Sequence, residues 1–286
     1  MVKECRPLEI GKEYFDSHPF ISALVAQGSR PYMVHIEAAQ DISNANFEFT
    51  HNGSAAALTH LRVETTGSYS KVDIISASAN DDSSAAAHTQ KVKVWGVDED
   101  NKLRVEEISV NGATAQSSTK SYFEIGEMYA SQFGTGGKDA AGNIDVGYTG
   151  KVTEELLRMD AATRVARSSR VIIPKSWRAK ILSVNVYPQD SDVGISSGVM
   201  VYPHYYDELE SSEEDSTFGK VSVMRDGAQF NEAQWPRIYG NDTTYSCLEF
   251  LGNRIKNSET WMISARVVIW PTSACSSNRR QIYGDV

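Results

Sequence analysis

Apolar and polar residues alternate with a period of two through much of the chain from Tyr32 to Trp270, the pattern of strands with one buried face. Val92 and Val94 alternate with Lys91 and Lys93. Beyond the acidic segment Asp98-Glu99-Asp100-Asn101 the alternation resumes at Leu103 and Val105, which predicts a hairpin. Asn111-Gly112 predicts a second tight turn of type I′, because both residues tolerate positive φ, so Lys71 to Gly112 reads as a β-meander. Tyr32 to Ala38, Ala45 to Thr50 and Leu58 to Thr65 alternate in the same way, with Asn52-Gly53 marking another tight turn. Beyond Ser168 the pattern predicts strands at Val171 to Ile173, Ala179 to Tyr187, Val199 to Tyr205, Lys220 to Met224, Tyr245 to Leu251 and Trp261 to Trp270. In the last of these, Trp261, Ile263, Ala265, Val267 and Ile269 share one face, and Pro174 and Pro188 punctuate strand ends.

Three segments depart from this pattern. Residues 1 to 30 read as an arm with a short helix starting at Pro19, where proline suits the first helical position. Phe15, Phe20, Ile21 and Leu24 can share its apolar side, which would dock on a neighbouring subunit or on its own domain. Val152 to Arg167 fits a helix, with Val152, Leu156, Met159 and Thr163 on one stripe, which local propensity favours. It also fits two strands around a turn at Asp160-Ala161-Ala162. Residues 207 to 215 (DELESSEED) form a charge run without apolar partners, expected to be solvated and mobile. The expected fold is all-β, one or two β-sandwich or jelly-roll-like domains behind a short N-terminal arm. The expected divisions are residues 1–30 for the arm, 31–165 for the first sandwich and 166–286 for a second, jelly-roll-like one.

Composition narrows the function classes. With 286 residues the chain can bury a large core without a disulfide or metal staple. A formal charge of −9 argues against a nucleic-acid grip, since Arg164/Arg167/Arg170 and Arg279/Arg280 are short basic clusters. No run of 18 apolar residues is present, so no membrane-spanning helix is expected. The N-terminal residues lack the apolar core of a secretory signal, so the expected place of synthesis and retention is a cytoplasm. Cys5, Cys247 and Cys275 lie far apart without CxxC spacing, and free thiols are the expectation.

Candidate chemistry is sparse. His18, His35, His51, His60, His88 and His204 have no metal-ligand spacing, and neither a metal nor a cofactor is expected. Phe133-Gly134-Thr135-Gly136-Gly137 lacks the Lys and following helix of a phosphate cradle. Glu106 and Glu107 are neighbours on a strand and point to opposite faces, so they do not form a facing catalytic pair; Glu213 and Glu214 lie in the charge run. Asp98 to Asn101 resembles the start of a calcium loop but lacks its later glycine and acidic ligand, and a polar hairpin turn is the better reading. Tyr202, Tyr205 and Tyr206, close to His204, and Trp235, Tyr239 and Tyr245 form two aromatic groups. They suit a sandwich rim, a subunit interface or a stacking surface for glycan.

An ordered series of segments carries a resemblance. Residues 76–88 (SASANDDSSAAAH), 92–112 (VKVWGVDEDNKLRVEEISVNG), Ser121 to Ile125, the Gly134 to Gly137 turn, Ala141-Gly142-Asn143-Ile144 and the Val171-Ile172-Ile173-Pro174-Lys175 strand end follow one another. Together they resemble a little-characterised group of β-rich virion proteins from tailed, often marine, bacteriophages. Those proteins pair a SxSAND loop with a strand block ending in an LNG turn. The likeness covers roughly residues 71 to 187, and the first 60 residues match nothing in that group. It favours strands over helix between Val152 and Arg167.

The resemblance implies a non-enzymatic structural protein of a virion, assembled in the host cytoplasm. A capsid decoration or vertex protein ranks ahead of a tail-associated one. Other virion proteins are the implied partners, with a homo-oligomer, trimer or ring, as the implied state. Two rivals are a receptor- or glycan-binding module meeting a host surface glycan and a glycan-degrading enzyme.

Overall fold

Two β-sheets face each other over a core built from the period-2 faces anticipated above. The computed structural model describes residues 19–26, 31–41, 46–48, 51–52, 70–84, 86–100, 103–150, 155–188, 198–207, 220–224, 227–231, 233–235, 237–243, 245–256 and 260–272. Expectations on Phe15, the strand at Leu58 to Thr65, the turn at Gly53, residues 208–215, Cys5, Cys275 and His18 and His60 lie outside them.

The first sheet has the order β15 (Ala228–Asn231), β12 (Trp177–Pro188), β17 (Thr260–Pro271), β1 (Tyr32–Asp41) and β3 (His51–Asn52). The second has the order β11 (Val171–Ile173), β16 (Ser246–Lys256), β13 (Gly198–Asp207) and β14 (Val221–Met224), with β2 (Asn46–Glu48) also pairing β16. The core between them takes Val34, Ile36 and Ala38 from β1, and Trp261, Ile263, Ala265, Val267 and Ile269 from β17. Val199 and Val201 from β13 and Leu248 and Phe250 from β16 face them. The five β17 residues are the face read from the sequence. In β12 the inward residues are Ala179 and Ile181, then Val184 and Val186. A register shift between Ile181 and Ser183 restores the inward parity after the extra residue.

The helix α1 (Pro19–Ala26) covers the outer face of the first sheet. Ile21 and Leu24 bury against Met33, Leu182, Val268 and Trp270, and the Phe20 ring meets Trp270 edge-on. Pro19 opens this helix as expected, and its apolar side docks on this chain.

The third sheet runs β6 (Leu103–Ser109), β5 (Thr89–Asp98), β7 (Gln116–Phe133), β4 (Ser70–Ser76), β8 (Ile144–Tyr148) and β9 (Glu155–Met159), with β10 (Val165–Arg167) on β7. The long strand β7 is used twice along one edge: Gln116 to Tyr122 pair with β4, and Glu127 to Tyr129 with β10. Because β10 also lies beside β9, the sheet curls into a nearly closed barrel around Val72, Ile74, Val92, Ile125, Met128, Ile144 and Leu157.

Two details correct the sequence reading. The β5–β6 hairpin forms, but β7 inserts between β4 and β5, so the block Lys71 to Gly112 is not a meander. The Asn111-Gly112 turn forms with Gly112 alone at positive φ (52°), so it is not type I′. From Glu155 to Arg167 the chain makes two strands, β9 and β10, and the intervening turn holds Ala162 at φ 62°. The helical alternative fails there because β8 and β7 offer these residues open edges to pair with.

The first sheet also crosses the division expected at residue 165. β1 belongs to the earlier segment, yet it pairs along its whole length with β17. The turn after Pro174 links the two sandwich sheets, with Ser176 at φ 60° and the Trp177 amide donating to the Pro174 carbonyl.

Candidate functional site

Three of the segments that carry the resemblance, residues 76–88, the end of 92–112 and Ala141 to Ile144, meet around one buried carboxylate. Asp81 is fully buried in the loop between β4 and β5. Its Oδ1 accepts from the amides of Thr89 (3.1 Å) and Ala141 (2.9 Å), and its Oδ2 from the Ser76 hydroxyl (2.8 Å) and the Gly142 amide (3.0 Å). Its backbone carbonyl accepts from Gly112 (2.7 Å). The loop after β4, the start of β5, the Asn111-Gly112 turn and the Ala141-Gly142 turn therefore converge on one residue.

Close approach explains the glycines there. A β-carbon on Gly142 would lie 2.7 Å from Ser78 Cβ, and one on Gly136 would lie 2.6 Å from the Ala86 carbonyl oxygen. The glycine-rich segment thus packs as a turn, its Gly134 and Gly136 amides donating to the His88 and Ala87 carbonyls. With two donors on each oxygen, Asp81 acts as a staple for three loops. Its signal in the sequence is the first of two adjacent aspartates, Asp81 and Asp82, among small residues.

Glu106, Glu107 and Asp98 are occupied likewise. Glu106 accepts from the Thr119 amide (2.5 Å) and from the Tyr122 hydroxyl (3.0 Å). Tyr122 is buried, and that burial together with the Glu106 charge pushes its phenol far above the usual range. Glu107 turns to the opposite face, toward Lys91 and Ser131. In the acidic turn, Asp98 is fully buried and accepts from Arg104 Nε (2.6 Å) and the Asp100 amide (3.0 Å), so a guanidinium stands where a cation would sit. Among the described residues no group of three or more His, Cys, Asp or Glu is placed to hold a metal ion.

The six aromatics are regrouped by the pleat. Tyr202 and Tyr205 point to opposite faces of β13. Tyr202 is buried, with Lys220 Nζ 4.4 Å from its ring centre. Tyr205 faces the sandwich core and packs on Tyr239 at 5.5 Å. Burial pushes the Tyr239 phenol up to about 12. The Arg237 guanidinium lies 5.6 Å from both of these ring centres. Trp235 is deep in the core, edge-on to Phe230 and Phe250. Tyr245 is half-buried beside Val97, Ile172 and Cys247, and the Tyr206 side chain lies outside the described residues. Trp235, Tyr239 and Tyr202 thus present no open ring face. Beside Tyr202 on β13, His204 Nδ1 lies 2.9 Å from Glu249 Oε1, a buried cross-strand pair absent from the sequence reading.

A second polar cluster joins barrel to sandwich. Arg167 on β10 pairs with Glu37 on β1 and lies 4.0 Å from the buried Glu127 on β7. Burial pushes the Glu127 carboxyl up, and Arg167 pulls it back part of the way. Burial, with Arg167 and Arg266 nearby, lowers His35 to about 4. No motif marks these residues, because they come from four separate strands, β1, β7, β10 and β17.

No family model matches the chain, and no curated protein matches it. Among solved structures, the infectious bursal disease virus Gt strain structure is 9% identical, covering 86% of this chain and 73% of that chain at a TM-score of 0.17. T=1 particles derived from infectious bursal virus give 8% identity, 86% and 71% coverage and a TM-score of 0.18. TM-scores this low carry no argument about fold or function.

Proposed function

We propose that the chain is a non-enzymatic structural protein of a tailed-phage virion, a capsid decoration or vertex protein ahead of a tail-associated one. The observation that carries this reading is the convergence on Asp81. Three of the segments that resemble the phage virion proteins, the loop holding Ser76 and Asp81, the Gly112 turn and the Ala141-Gly142 turn, are tied together through that carboxylate and its backbone carbonyl. What the chain has in common with that group is thus the wiring of a scaffold. A scaffold of this kind works by presenting a rigid surface at repeated sites on the particle, as a homo-oligomer, trimer or ring, contacting other virion proteins.

Light scattering on the purified protein, alone and with particles lacking it, tests this. A trimer or ring that adds at fixed stoichiometry supports the reading. A monomer that ignores particles and adheres to host cells or glycans overturns it in favour of a receptor-binding module.

A further inference from the structure

The contact between barrel and sandwich is polar at its edge and apolar beneath. Underneath, Trp95 of β5 joins the sandwich core, and Val97 packs with Ile172 and Cys247. At the edge two backbone bonds straddle the crossing between β10 and β11: the Glu37 amide donates to the Ser168 carbonyl (3.1 Å), and the Ser168 amide to the Gly126 carbonyl (2.9 Å). Beside them sits the Arg167 cluster, with side chains about a tenth to a third exposed (Glu127 12%, Arg167 28%, Glu37 36%).

We propose that Arg167 is an acid-released clasp, holding the barrel to the sandwich while Glu37 and Glu127 are ionised and letting them part at the β10–β11 crossing when these carboxylates are protonated. The charged groups acting on the cluster are Glu37 and His35 from β1 and Glu127 from β7, with Arg266 of β17 across from His35; on β9, beside β10, Arg158 is paired with Asp145. Tyr187 on β12 is the further titratable neighbour of Glu37. With both carboxylates ionised and His35 neutral, two negative charges face two guanidiniums and the cluster is balanced. Protonating the carboxylates and His35 leaves three positive charges in the same partly buried space, where repulsion is screened less than in bulk water. The burial that raises Glu127 makes it give up its charge earlier in an acid titration than an exposed Glu, which weakens the hold on Arg167 first.

Hydrogen exchange on the full chain reads this directly. From about pH 7.5 to about pH 4, protection factors at the Glu37 and Ser168 amides should fall about tenfold or more. Protection at the Val72 amide in the barrel and the Ala179 amide in the sandwich should hold. Arg167→Met should show low protection at Glu37 and Ser168 already at neutral pH, and Arg167→Lys should retain the acid transition. Unchanged protection at Glu37 and Ser168 in acid would overturn the proposal, as would loss of all four amides together. If Arg167→Met does not fold, Glu37→Gln serves instead: its clasp should loosen at neutral pH, and a wild-type profile would count against the proposal.

Discussion

Gly126 lies against the Trp95 ring so closely that a β-carbon on Gly126 would come within 2.4 Å of Trp95 Cη2. Trp95 is 3% exposed and reaches from the barrel into the sandwich core, so the ring has nowhere to retreat. Gly126→Ala should therefore cost about 1–3 kcal/mol by overpacking. Urea unfolding measures this, and Trp95→Leu in the same chain should recover part of the loss by making room.

Asp81→Asn keeps the shape of the side chain but turns one acceptor into a donor facing amide and hydroxyl donors. Loss of those bonds in a buried site should cost about 1–3 kcal/mol. The exchange rates of the Ala141 and Gly142 amides should rise with it, a local readout separable from global stability.

His35 titrates at about 4 in the folded chain, against 6.5 in the unfolded one. Between those values the unfolded state binds the proton and the folded state does not, so stability falls as pH drops from 6.5 toward 4. His35→Gln should flatten the melting temperature over that window. An NMR titration placing His35 near 6.5 would contradict the assignment.

Trp235 and Arg237 are two residues apart with opposite burial. Trp235→Ala removes a ring packed between Phe230 and Phe250 and should cost about 3–5 kcal/mol. Arg237→Ala removes an exposed guanidinium from the Tyr205 and Tyr239 rings and should cost about 1 kcal/mol or less. Thermal melts of the two variants provide the comparison.

Ala162 holds a left-handed conformation at φ 62° in the turn between β9 and β10. Glycine meets no β-carbon penalty there, so Ala162→Gly should raise stability by up to about 1 kcal/mol despite its greater freedom when unfolded. Chemical denaturation settles the sign.

How much of this was legible beforehand depends on the range of the interaction. The period-2 pattern determined that the chain is all-β and which residues of β17 face the core. Pro19 marked the helix start, and the β5–β6 hairpin followed from a turn between alternating runs. These are local properties, set by sterics and by which side of a strand must leave water. Which strand pairs with which was decided only by the tertiary structure. β1 finds β17 far along the chain, β7 serves β4 and β10 on one edge, and β13's pleat sends Tyr202 and Tyr205 to opposite faces. The Asp81 staple and the Arg167 cluster belong to that second kind. Their partners are separated in sequence, and a carboxylate's role depends on the donors that surround it after the chain has closed.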